Sequence, residues 1–398
     1  MYITIISILV ALLFGLTTST VPLENMPLVE GMVVAIVGSF FLLISALVKS
    51  LIWPTLATIE AETIPRSQEL FLKDRPIYAY RLYIFIFSLY CYFIVFTTTW
   101  GSNLAVVHYL IVFWIVLFGL ACDALRLYIQ RMMHYSHHIF LLDKVVHECL
   151  HAVATGRETE AYEWIDNIIE AATKSMRKGS FHTASYALEQ ALAIVEGYVP
   201  AFQRSLRSHP IATIETSLLD HVNSLCIYLA KRLQWVFEEA LDEKMDPVAE
   251  DIISIYGKIS LHFARYNPSL AHVPLQFIEK CAQYALVTNH DEIASRAAIT
   301  LSELVKNYIT LSKEKEESYR ELVMITFSHL EEITDAIFKK NREINPALLM
   351  QPFAEVAELV GSEQYQAFLD REAILEALKR ILTKFNALDI IMTITGPQ

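Results

Sequence analysis

The residues with the clearest chemical spelling are His147, Glu148 and His151, in the stretch LDKVVHECLHAVATG (142–156). Together with Cys149 and Leu150 they match H-E-x-x-H. One helical turn puts both imidazoles on one face, within reach of a single zinc ion, and the adjacent glutamate can act as general base on zinc-bound water. A third protein ligand and one open position complete a catalytic site of this kind.

The apolar flank of the motif resembles the gluzincins, the thermolysin-like metalloproteases. That resemblance implies an acidic third ligand, for which Glu160, Glu163 and Glu170 follow in the sequence, Glu170 with the best spacing. Lys174 stands where a supporting acid would help. The extended metzincin pattern would need Gly and His where the chain has Ala154 and Arg157.

A second reading comes from the helical wheel. At 100° per residue, Asp143, Lys144, His147, Glu148 and His151 fill a polar arc of about 140°. Leu142, Val145, Val146, Cys149, Leu150 and Val153 fill the opposite face. An ordinary amphipathic bundle helix has this pattern, with its histidines among solvated charges. This reading ranks above the zinc reading. The cluster His134, His137 and His138 reads as a polar stripe close to a membrane, on the same helix as His147, with a surface sensor as the minority view. The chain has no Gly-rich phosphate loop, G-x-S-x-G elbow or nucleotide fingerprint. Its five cysteines form no C-x-x-C pair. No cofactor is expected except zinc under the protease alternative.

These residues follow a strongly apolar segment. Four spans are legible, at about 2–19, 31–53, 78–98 and 104–125, each long enough to cross a bilayer core. The first lacks the positive start and small-residue cleavage site of a signal peptide and reads as an uncleaved span. The short loops at 19–30 and 99–103 hold no Lys or Arg, whereas 54–77 holds Arg66, Lys73 and Arg75, and Arg126 and Arg131 follow the fourth span. The positive-inside rule then predicts that 54–77 and both termini are cytoplasmic. No Asp, Glu, Lys or Arg lies mid-span, which lowers the case for an ion-coupled transporter.

Within ATIEAETIPRSQELFLKDRPIYAYRLYIF, the residues Pro65, Arg66, Phe71, Leu72, Asp74 and Arg75, with Tyr90 beyond, form a pattern. It resembles that of a family of uncharacterised bacterial predicted membrane proteins, a domain of unknown function. YIQRMMHYSHHIFLLDKVV resembles that family's stretch after its fourth span. Pro76 departs from the pattern. The resemblance implies four N-terminal spans in the bacterial inner membrane and a helical cytosolic domain, and it supplies no activity.

From 136 onward apolar residues recur at spacings of three and four, punctuated by Gly156, Gly179, Pro200, Pro210 and Asp246-Pro247. Helices are predicted throughout, in pairs of about forty residues, as an irregular bundle or an α-solenoid. The fold class is therefore all-α, with a transmembrane domain at 1–125, including a helical loop at 54–77, and a cytosolic domain at 126–398. After residue 125 the chain has 27 basic and 37 acidic residues, which argues against nucleic acid as a partner. The expected function is a non-enzymatic, self-associating membrane assembly whose helical domain binds a cytosolic partner or gates a pore. A zinc metallopeptidase and a membrane-surface sensor are the alternatives.

Overall fold

The computed structural model describes residues 27–100, 104–207, 214–266, 268–312, 316–340, 346–361 and 371–384. Among them the regular elements are fourteen α-helices and one short 3-10 helix, with no strand. The chain divides into two compact units, Met1–Leu141 and Leu142–Gln398.

The first unit contains α1 (Pro27–Glu62), α2 (Ser67–Lys73), α3 (Arg75–Thr99) and α4 (Leu104–His134). Three stretches in it, Met32–Glu62, Arg75–Thr99 and Tyr109–His134, are long and apolar enough to cross a membrane. They overlap the expected second, third and fourth spans. The expected first span, 2–19, lies outside the described residues. The 54–77 segment is helical, as α1 runs past Pro54 to Glu62 and α2 follows. Pro76 falls in the first turn of α3, where its missing N–H leaves no hydrogen bond unmade.

Close packing joins α1, α3 and α4. A Cβ on Gly38 would stand 2.7 Å from the Cys91 Cβ, so only glycine permits this approach of α1 to α3. Beside it Phe41 meets Phe87 and Phe118 edge-on at 5.2 and 5.9 Å, and Trp114 stacks on Phe118. The outer faces keep Ile36, Phe40, Leu43, Phe85, Leu89 and Phe93 exposed.

Beyond α4 the chain does not continue as one helix. Of the histidines expected on the helix of His147, His138 opens that helix, α5 (His138–Ala154), whereas His134 ends α4 and His137 lies in the turn between them. Tyr135, Ser136 and His137 donate to carbonyls three residues back. The Tyr135 ring is buried, held by a hydrogen bond from its hydroxyl to Asp74 Oδ2 at 2.6 Å.

From α5 a regular array follows: α6 (Glu158–Arg177), α7 (Phe181–Arg207), α8 (Ile214–Asp242), α9 (Asp246–Tyr266), α10 (His272–Val287), α11 (Asp291–Ser312), α12 (Glu316–Lys340), α13 (Pro346–Gly361) and α14 (Arg371–Lys384). From α6 onward, helices pack mainly against their next and next-but-one neighbours. That pattern makes two layers of alternate helices, the arrangement of an α-solenoid. Pro200 does not restart the chain as expected, because α7 runs through it to Arg207.

The turns explain the repetition. Gly156, Gly179, Lys244 and Asn289 all take left-handed backbone, with φ of 73°, 71°, 57° and 65°. After each, the next N–H reaches back five residues: Arg157 to Ala152, Ser180 to Ser175, Met245 to Ala240 and His290 to Ala285, at 2.7–2.9 Å. These are Schellman turns, which satisfy the last helix carbonyls and reverse the chain within three residues. The core between the layers includes Trp164, Phe237, Tyr256, Phe263 and Tyr308, all buried.

Candidate functional site

The structure places the predicted metal-ligating residues on α5 and α6. His147 and His151 are exposed and Glu148 is half-buried, while Leu142, Val145, Cys149 and Val153 are buried. The buried face packs inward: Leu150 abuts Gly197 on α7, and the Cys149 thiol donates to the Ala161 carbonyl at 3.5 Å. Burial pushes the Cys149 thiol up to about 12, so the residue inside the motif is a packing thiol and no nucleophile.

Two of the candidate ligands have other partners. Arg157 lies 3.1 Å from His151 Nδ1 through its terminal nitrogen, as donor to that ring, and forms an ion pair with Glu160. The guanidinium takes the Nδ1 lone pair, which puts the proton of a neutral ring on Nε2, and it brings positive charge beside the imidazole. Glu170 is exposed and pairs with Lys174 at 2.9 Å.

A different trio comes together elsewhere. Among the described residues, the three ligating side chains close enough to share an ion are Glu279 on α10 and His329 and Glu332 on α12, with donor atoms all within 4.8 Å of one another. His329 Nδ1 lies 2.5 Å from Glu279 Oε2. The Gln283 amide donates to the other oxygen of Glu279 at 2.6 Å. The Glu332 carboxyl is pushed above its usual range, first by its hydrogen bond with Glu279 and then by that group's charge. His329 and Glu332, three apart on one helix face, were the readable half of this cluster. Glu279 joins them only through packing of α10 on α12.

In the first unit one residue of the family-like pattern, Asp74, forms a structural node. Asp74 is 2% exposed and precedes α3. It accepts from Arg131 Nε at 3.0 Å and from the Tyr135 hydroxyl. Arg66 adopts left-handed backbone (φ 58°) at the start of α2, and Pro65 precedes it in the turn. Arg75 is exposed at the start of α3. The three neighbouring histidines part company here. The His134 ring lies against Phe140, His138 Nδ1 is 3.2 Å from the Thr63 hydroxyl, and His137 is exposed. A hollow of about 700 Å³ along α4 is lined by Arg126, Gln130, His134 and His137 among apolar residues.

No protein-family model matches the chain, and no curated protein matches it. A solved structure described as a "circular tandem repeat protein with novel repeat topology and enhanced subunit contact surfaces" is similar over 92% of this chain and 88% of that one, at 16% identity and a TM-score of 0.39. At that score the fold assignment rests on the helix packing described above.

Proposed function

We propose that the chain is a multi-pass inner-membrane protein that self-associates and uses its helical array to bind a cytosolic protein partner. One contrast supports this reading: helices with apolar exteriors precede an array whose apolar side chains are turned inward. The first suits lipid, and the second is the architecture from which helical repeats build extended binding surfaces. On this reading the chain has four spans, the first at 2–19, with both termini and the 54–77 segment in the cytoplasm. The acidic array faces the same side. Channel activity is a narrower version in which the array gates a pore. The exposure of His147 and His151, with Arg157 on one ring, supports a scaffold over a zinc peptidase.

Membrane extraction and site-directed labelling test this together. The chain is expected to stay with the membrane at alkaline pH. A cysteine replacing exposed Glu170 should label only after permeabilisation, and one replacing Trp100 should label from outside. Mass measurement in nanodiscs should give more than one copy per particle. Extraction into the soluble fraction, or a strictly monomeric particle, would sink the proposal.

A further inference from the structure

Ion pairs of arginine or lysine with a carboxylate join several second-neighbour helices of the array. In one layer Arg177 on α6 reaches Glu239 on α8 at 2.6 Å, and Arg232 on α8 reaches Asp166 on α6 at 2.9 Å. In the other, Lys306 on α11 reaches Glu355 on α13 at 2.7 Å. Each couples one cation to one carboxylate. Between α10 and α12 the tie instead brings two carboxylates, Glu279 and Glu332, onto one imidazole. Among the described residues, the polar partners of Glu279 are His329, Gln283 and Glu332, and none is a lysine or arginine.

We propose that Glu279, His329 and Glu332 hold one divalent transition-metal ion, which clamps α10 to α12. The donor set is one imidazole nitrogen with two carboxylate oxygens, which suits zinc, iron or manganese better than calcium or magnesium, whose sites are built from oxygen alone. Two carboxylates hydrogen-bonded to each other must share a proton or a cation. A dication replaces that proton and neutralises both charges.

The geometry needs little rearrangement. Ligands at roughly 2.0–2.2 Å from one ion stand about 3.0–3.5 Å apart, so the pair at 2.5 Å opens by up to about 1 Å. The His329 and Glu279 side chains are each 15% exposed, which holds them in place. Glu332 is exposed and can swing onto the ion, leaving further positions to water. Gln283 orients the Glu279 carboxylate as an outer-shell partner does in metal sites. The ion would join the hairpin α9–α10 to the hairpin α11–α12, so metal occupancy would set the stiffness of the array. This inference is independent of what the array binds.

The test uses the full-length chain in detergent, stripped with chelator and then titrated with zinc, and with manganese and calcium for comparison. Bound metal is read by elemental analysis after gel filtration, and Tm is read in parallel. One zinc per chain and a raised Tm are expected, with calcium at least tenfold weaker. His329→Ala, Glu279→Gln and the exposed Glu332→Gln should each weaken zinc about tenfold or more. The double variant His147→Ala, His151→Ala should bind as the parent does. The proposal is overturned by no retained zinc or by zinc kept equally in Glu332→Gln and His329→Ala. Loss confined to the His147/His151 variant would overturn it equally, and would assign the metal to the H-E-x-x-H face.

Discussion

The two units turn their apolar side chains in opposite directions with the same secondary structure. In the first, Ile36, Phe40, Leu43, Phe85, Leu89 and Phe93 point outward, and the contacts that fix the helices include aromatic rings, a glycine and the buried carboxylate of Asp74. In the second, Trp164, Phe237, Phe263 and Tyr308 point inward, and ion pairs and Schellman turns decorate the outside. Helix is legible in both because its backbone hydrogen bonds close locally whichever way the apolar face points. The difference lies in which face carries the apolar stripe. Side-chain truncations and charges should therefore act in opposite ways in the two units.

The largest effect is expected in the interior of the array. Trp164 is fully buried, so Trp164→Ala should cost about 3–5 kcal/mol and lower Tm sharply. Trp100, at 77% exposed, should tolerate the same truncation within about 0.5 kcal/mol. Thermal melts of both variants in one detergent make the comparison. Equal losses would mean that Trp100 is buried against another copy.

Charge should act the other way. Ile36 is 68% exposed on α1 and Val287 is 80% exposed at the end of α10. An aspartate at Ile36 should cost roughly 2.5–3.5 kcal/mol if that face meets lipid, read as loss of chain from the membrane fraction. Val287→Asp should leave yield and Tm unchanged. A well-inserted Ile36→Asp protein would remove lipid from the outer face of α1.

The glycines offer a finer comparison. At Gly38 a new Cβ meets the Cys91 Cβ, an atom fixed to the α3 backbone. At Gly197 it meets Leu150 Cδ1 at 2.5 Å, the movable tip of a side chain. Gly38→Ala should therefore cost about 1–3 kcal/mol by overpacking. In Gly197→Ala, rotation of Leu150 and the roughly 1 kcal/mol helix preference of alanine over glycine should nearly cancel the clash. Denaturation midpoints that rank the two in reverse would show that the first unit yields more than the second.

Local features were readable from the residue order and non-local ones were not. Apolar spacing predicted helices throughout the chain from Glu158 onward, and the elements described there are helical, because one face of each helix is buried. Gly156 and Gly179 marked their turns because glycine enters left-handed backbone without strain. Lys244 and Asn289 occupy the same conformation without such a flag; only the asparagine is a usual substitute. Pro200 misled because an interior proline normally ends a helix, yet α7 carries it. The break at Tyr135 was hidden because its cause, Asp74, lies 61 residues away. The same holds for the candidate metal site. His329 and Glu332 show helical spacing, but Glu279 is 50 residues from His329 and arrives only when α10 packs on α12. The polar arc of His147 and His151 was legible, whereas the hold of Arg157 on His151 depends on the turn at Gly156.

The smallest expected effect comes from acid, through histidines that the array half-buries. Burial lowers His262, with Arg265 adding to the shift and Glu196 opposing it. Burial also lowers His272, with His329 adding and Glu321 opposing. Folding thus favours both rings in the neutral form. In the unfolded chain each takes up a proton near about pH 6.5. Below that value the unfolded state binds more protons than the folded one, so stability is full above it and is lost as pH falls toward the depressed folded values. The Tm of the chain should therefore stay level from about pH 8 to 7 and decline between about 6.5 and 5. His262→Phe, which keeps a ring beside Tyr266, should shallow the decline. A Tm that is flat to pH 5, or a decline unchanged in His262→Phe with His272→Phe, would show that burial in the array leaves its histidines free to charge. The inward-facing unit would then be more open to water than its packing implies.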